Sequence, residues 1–301
     1  MRRLRLPWLL GLVLPLLLAE GALRVLSPSR PSPAPWPNVG IEVKTGHAER
    51  LVGDEVDVLL LGSSITEAGV DPAGIERHSG LSAFNGAAPY STPISMATWL
   101  DDRLWDLDPD VLVIGLPIWG APDDRAADQL TNAFDRFREY EQSQEGVARH
   151  SELWMRRGQL RDFLDLVADS STASTYTDRG HLTLYYDQRR DEAEPVAGDP
   201  FPGFSSDNLA ALEQIVTEAS ERDADVVLLL EPGGCPPILP GCADADSEAE
   251  ARATVAALAD ELGVRFIDGR EFAARDEWFA DDAHFNREGT ERFTEFLAGK
   301  L

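Results

Sequence analysis

Val56-Asp57-Val58-Leu59-Leu60-Leu61-Gly62-Ser63-Ser64-Ile65-Thr66-Glu67 is the stretch that decides the fold. Its unbroken apolar run has the pattern of a strand buried on both faces, as in a parallel sheet. Glycine ends the run, and hydroxyl residues follow at the carboxyl end of the strand, the edge at which open α/β sheets bind ligands. Ser64 is therefore a candidate nucleophile.

Working outward, similar apolar, β-branched runs recur at Leu81–Phe84, Val111–Leu116, Val226–Leu230 and Val264–Ile267. Helical patterns lie between most of them, at Ile94–Leu107, Asp207–Arg222, Ser247–Leu262 and Arg287–Ala298. Strands alternating with helices predict a parallel sheet covered on both faces. In the last helix Phe293, Phe296 and Leu297 form the face that packs, while Arg287, Glu288 and Glu291 stay in water. The rhythm breaks between about 123 and 203, a separation longer than one crossover helix needs, and reads as an insertion. It holds two helical patterns, near Asp124–Gln142 and Ser151–Val167, then a Thr/Ser/Tyr-rich stretch. A lid or substrate wall and an inert surface elaboration are both open.

At 301 residues and 43% hydrophobic content, the chain has material for one domain with a sizeable core. Its net charge of −26, with Lys44 and Lys300 the only lysines, excludes a nucleic-acid partner, which needs clustered positive charge. Arg2, Arg3 and Arg5 precede an apolar run from Leu6 to Ala19 that extends past Glu20 and Arg24 to Leu26. Positive charge before an apolar segment keeps the amino terminus in the cytoplasm and sends the remainder outward. Residues 1–26 are thus a signal anchor, giving a single-pass protein of the cell membrane, or a signal peptide cut near Ala19-Glu20-Gly21, giving a secreted or periplasmic one. Residues 27–53 read as a proline-rich spacer and lead-in, and 54–301 as the globular domain. In an exported chain, Cys235 and Cys242 read as a disulfide closing a short loop, worth about 2.5 kcal/mol. Neither the spacing nor a nearby histidine suits them to a metal or redox site.

The chemistry gathers at Asp281-Asp282-Ala283-His284-Phe285-Asn286. An Asp three residues before a His offers a carboxylate to one imidazole nitrogen and leaves the other free to act as a base. Ser64, His284 and Asp281 therefore supply nucleophile, base and orienting acid. Backbone N–H groups at the start of the helix after Ser64, and in the Asn85-Gly86-Ala87-Ala88 turn, are candidate oxyanion donors. Bland readings stand beside these. Ser64 and Glu67 fit a capping box; Asp281 can cap its turn; Asp281, Asp282 and His284 lack the second histidine a metal site would have. His47, His78, His150 and His181 suit structural or surface roles. Trp119, Trp154 and Trp278 suit a substrate groove or ordinary packing.

Taken in order, Gly62-Ser63-Ser64 after the first strand, Asn85-Gly86 after the second and Asp281-x-x-His284-x-Asn286 before the last helix resemble the SGNH (GDSL-type) hydrolase and acyltransferase superfamily. The resemblance runs from about Asp54 to the end. It implies a three-layer α/β/α flavodoxin-like parallel sheet, Ser64, His284 and Asp281 as the catalytic set, and the Ser64 and Gly86 amides, or Ala87 in another register, as the oxyanion hole. No metal or other cofactor is expected. Two departures stand out. The usual Gly-Asp-Ser is Gly-Ser-Ser here, as in relatives that resemble membrane-anchored acyl-transfer proteins of bacterial envelopes. The Gly-x-Asn-Asp block is replaced by Gly115-Leu116-Pro117-Ile118-Trp119-Gly120, which removes an oxyanion donor commonly worth ~10²–10³ in rate. The expected activity is hydrolysis or transfer of an acyl ester on an envelope glycan or other surface molecule. A non-catalytic envelope-assembly or glycan-binding protein is the competing class.

Overall fold

The computed structural model describes residues 6–26, 39–117, 151, 176–188, 203–232, 245–272, 275–281 and 283–301. Its helices are α1 (Leu6–Leu26), α2 (Val39–Leu51), α3 (Ser64–Gly69), α4 (Pro72–Ser79), α5 (Pro93–Asp102), α6 (Ser206–Glu221), α7 (Ala245–Leu262) and α8 (Arg287–Ala298). Its strands are β1 (Val58–Leu61), β2 (Ala83–Asn85), β3 (Val111–Leu116), β4 (Asp225–Leu230) and β5 (Arg265–Asp268).

Among the described residues the strands form one five-stranded sheet in the order β2-β1-β3-β4-β5, every neighbouring pair parallel. That order is flavodoxin-like and reverses direction beside β1, where the crevice at the strand ends opens. The α/β class and parallel sheet expected from the sequence are what is observed. β1 to β4 bury both faces, whereas the edge strand β5 buries only Ile267. Leu59, Leu61, Leu112, Ile114, Val226 and Leu228 pack with residues of α2, α5, α6 and α7. Val58, Leu60, Val113, Val227 and Leu229 pack with α4, α8 and the loop before α8. Phe293 and Leu297 of α8 are fully buried there, and burying such a side chain stabilises by roughly 1.5–3 kcal/mol. Arg287, Glu288 and Glu291 lie exposed on the other side, as the helical periodicity requires.

Several elements differ from the sequence expectation. Ser95 Oγ accepts from the Thr92 N–H at 2.9 Å and Pro93 takes the first helical position, so α5 starts before Ile94. Arg103 (φ −149°) then leaves helical geometry, and Leu104–Leu107 continue as a separate 3-10 turn. Val39–Leu51, read as lead-in, is the helix α2, and its Lys44 is fully buried. The two insertion helices, the proline-rich spacer, Cys235, Cys242, Trp119, Trp154, Asp282 and His150 lie outside the described residues. Among the residues whose side chains are described, no helix is long and apolar enough to cross a membrane; for α1 those side chains run from Val13 to Val25.

Candidate active site

β1 delivers Gly62 and Ser63 to the carboxyl edge of the sheet, and α3 begins at once. Ser63 sits in extended backbone and caps α3, its Oγ accepting from the Ile65 N–H at 3.2 Å. The capping box read between Ser64 and Glu67 therefore does not form, and Ser64, the first helical residue, keeps its hydroxyl for other partners. Among the described residues no acceptor takes the Ser64 N–H, which is as expected for an N-terminal amide.

The turn before α8 brings the base. Ala280 N–H donates to the His284 carbonyl at 2.8 Å, Asn286 N–H donates to the Trp278 carbonyl at 2.9 Å, and Phe279 and Phe285 form an antiparallel bridge. Asn286 closes the turn by capping α8 through the Gly289 N–H. Inside it, Asp281 Oδ1 accepts from the Ala283 and His284 amides at 2.8 and 2.7 Å. His284 Nδ1 lies 2.9 Å from Asp281 Oδ2, and His284 Nε2 lies 2.9 Å from Ser64 Oγ. A carboxylate only accepts, so Nδ1 carries the proton and Nε2 accepts from the serine hydroxyl. Half-burial works against the Asp281 charge, but the hydrogen bonds from His284 and the two amides outweigh it and hold its pKa below the ordinary carboxylate value. Ser64, His284 and Asp281, 220 residues apart in sequence at the widest, thus lie in one hydrogen-bonded chain.

The second turn is placed differently. Gly86 N–H donates to the Leu60 carbonyl at 2.8 Å, Ala87 N–H to Asn85 Oδ1 at 3.1 Å and Ala88 N–H to the Gly62 carbonyl at 3.0 Å. Gly86, expected to offer its amide to an oxyanion, instead continues the sheet pairing, and Ala87 is engaged as well. Asn85 locks the turn, its Nδ2 donating to the carbonyls of Thr66 and Val70 at 3.0 and 2.9 Å.

Three features beside the triad escaped the sequence reading. Tyr185, from the insertion, stacks on the His284 ring with centroids 4.2 Å apart and planes within 5°. Its segment docks at the site: Arg179 carbonyl accepts from the Asn85 N–H, and Leu182 N–H donates to the Glu67 carbonyl. This part of the insertion is a wall of the site. Lys44 and Glu67 form a fully buried ion pair at 3.0 Å behind α3, Lys44 Nζ also donates to the Ala87 carbonyl, and Tyr176 Oη donates to Glu67 at 3.3 Å. Burial pushes the Lys44 pKa down, with the Glu67 charge working against it. The third, Glu231, is buried at the end of β4 against Ser63 and Thr66. Two faint signals pointed to these residues: a lysine in a chain nearly without lysines, and an acid directly after an apolar strand.

Among the other sequence candidates, Trp278 stacks on Phe272 at 5.4 Å with Arg275 over its ring, so it is packed rather than groove-lining. His47 contacts the Thr177 carbonyl, and His181 is buried between Ala68 and Tyr186, both structural placements. His78 is exposed.

No family model matches the chain, and no curated protein matches it. Solved structures similar to it include an acetyl xylan esterase, 13% identical with a TM-score of 0.44 over 81% of this chain and 97% of that one. A lipase/acylhydrolase from Enterococcus faecalis is 14% identical, with a TM-score of 0.41 over 82% and 97%. A carbohydrate acetylesterase from Sinorhizobium meliloti is 13% identical, with a TM-score of 0.39 over 82% and 98%.

Proposed function

We propose that this chain is an SGNH-type serine esterase or O-acyltransferase that works through an acyl-serine on Ser64. The observation that carries the reading is the continuous relay from Asp281 through His284 to the Ser64 hydroxyl, made on a half-buried, reachable serine at the carboxyl edge of a parallel sheet. Ser64 Oγ attacks the ester carbonyl while its proton passes to His284 Nε2; the alcohol departs with that proton and leaves the acyl group on Ser64. Water or an acceptor hydroxyl then attacks the acyl-serine, giving its proton to His284; the acyl–Oγ bond breaks, the acyl group leaves as the acid or the new ester, and His284 returns the proton to Ser64 Oγ. The Ser64 amide is one oxyanion donor.

The substrate class we propose is an O-acyl ester of an envelope glycan or other surface molecule, reached outside the cytoplasm. The placement is supported by the arginines ahead of α1, by the 21-residue length of α1 and by its exposed Leu14, Leu17 and Leu18. Salt-resistant sedimentation of the full chain with membranes tests it.

One observation favours a non-catalytic binding protein: the Gly86, Ala87 and Ala88 amides are all engaged. Treatment with a serine-reactive phosphonate, followed by peptide mapping, separates the two. A catalytic chain is labelled at Ser64, and the labelling falls by at least about 10²-fold in His284→Ala, as loss of a general base implies. An unlabelled Ser64, or labelling indifferent to His284, sinks the esterase reading. Product partition with a competing alcohol then distinguishes transferase from hydrolase.

A further inference from the structure

The serine ahead of the nucleophile stands where the family this chain resembles has an acid, and the fold returns a carboxylate to that point from another element. Glu231 follows β4 directly and is fully buried. Its Oε2 accepts from Ser63 Oγ at 2.6 Å. Its Oε1 accepts from the Ser63 N–H at 3.0 Å, the Thr66 N–H at 3.3 Å and Thr66 Oγ1 at 2.5 Å. The direction of these bonds is fixed by the donors. The amides can only donate and a carboxylate can only accept, so Ser63 Oγ and Thr66 Oγ1 give their protons to Glu231.

Space is reserved for this carboxyl group. A Cβ added at Gly115 would lie 2.3 Å from Thr66 Oγ1 and 2.8 Å from Glu231 Oε1; at Gly62 the same atoms would be met at 2.5 and 2.9 Å. Neither glycine has room for a side chain while the acid is in place. Burying a carboxyl group is costly unless it is fully hydrogen-bonded, and here four donors converge on it. Burial pushes its pKa up, with the bonds from Ser63 and Thr66 working against that push. Those two residues bracket Ser64.

We propose that Glu231 is the positioning residue of the nucleophile: it clamps Ser63 and Thr66 on either side of Ser64 and so fixes the serine hydroxyl at its 2.9 Å approach to His284. The proposal rests on the esterase reading. It assigns to a strand-end glutamate the anchoring that an acid next to the nucleophile would supply, and it accounts for Gly-Ser-Ser at Gly62 to Ser64.

The test uses the full chain, a short-chain aryl ester and the phosphonate. Glu231→Gln retains size and turns the Ser63-facing oxygen into a donor. A misplacement on the order of 1 Å costs ~10²-fold in rate, so kcat and the Ser64 labelling rate are expected to fall about 10- to 100-fold, with KM within about twofold. Ser63→Asp combined with Glu231→Ser moves the acid into the loop and is expected to recover at least half of the lost rate. A purely structural glutamate would lower melting temperature and activity together and would not be rescued in kcat by the relocated acid. Glu231→Gln at wild-type kcat and labelling overturns the proposal, as does a double variant that melts like wild type yet keeps the full loss. A wild-type chain unlabelled at Ser64 removes the esterase reading and this proposal with it.

Discussion

His284 is held from three directions. Asp281 fixes the Nδ1 tautomer, Ser64 occupies Nε2, and Tyr185 covers one face of the ring. The first two set which atom accepts the proton, whereas the third sets the plane in which it is accepted. Aromatic contacts of this kind are worth about 0.5–1.5 kcal/mol beyond their area. Removing the ring by Tyr185→Ala is therefore expected to lower kcat by about 3- to 10-fold, because tenfold in rate corresponds to about 1.4 kcal/mol. Tyr185→Phe, which retains the stacked face, should stay within about twofold of wild type. Steady-state kinetics on an aryl ester decides it; equal losses in the two variants would assign the effect to the hydroxyl instead of the stack.

At the scale of elements, the hairpin at 176–188 is what places Tyr185, and His181 is its buried tie. Its Nε2–H donates to the Ala68 carbonyl of α3 at 3.1 Å, and its Nδ1 accepts from Tyr186 Oη at 3.2 Å. Both contacts use the neutral ring. Desolvation lowers its pKa to about 4, with Ala68 and Asp71 pulling the other way and Lys44 adding to the fall. An unfolded histidine titrates near 6.5, so the folded chain binds fewer protons between those values. The contribution is fully present above about pH 6.5 and is lost as pH falls toward 4, amounting to roughly 3 kcal/mol at most. Urea unfolding at pH 7.5 and 4.5 should show that loss, and His181→Gln should flatten it; an unchanged pH dependence in the variant would refute this role.

Elements of this kind also mark where the sequence was legible. Val111–Leu116 and Arg287–Ala298 were read to the residue, because a doubly buried strand and an amphipathic helix each impose a periodicity that the local sequence displays. Asp281 and His284 were readable because their relation is a three-residue spacing. Glu231 touches Ser63 across 168 residues, and Lys44 reaches Ala87 across 43; no local pattern encodes such pairings. Gly86 was misplaced for the same reason, since its amide is claimed by Leu60 on a neighbouring strand.

For the whole molecule, the buried Lys44–Glu67 pair decides where the folded body begins. Lys44 lies on α2, Glu67 on α3 and Ala87 beside β2, so one ammonium group joins α2 to α3 and to the turn after β2. Glu67 Oε2 has no hydrogen-bond partner among the described residues, and Oε1 is held by Lys44 and Tyr176. Removing one member of a buried pair costs about 3–5 kcal/mol, against a total stability of about 5–15 kcal/mol for a typical domain. Three chains test the consequence. The full chain should stay with membranes through a high-salt wash. A chain beginning at Val39 should be released into solution and retain Ser64 labelling. One beginning at Val52 should fail to fold or melt at least about 10 °C lower, given a few degrees per kcal/mol for a domain of this size. Pairing Lys44→Met with Glu67→Leu in the Val39 chain should restore most of what Lys44→Met alone removes, because apolar replacement of a buried pair is close to neutral. A Val52 chain as stable as the Val39 chain would show that α2 is only a lead-in, and a full chain released by salt and starting after Gly21 would show that α1 is not an anchor.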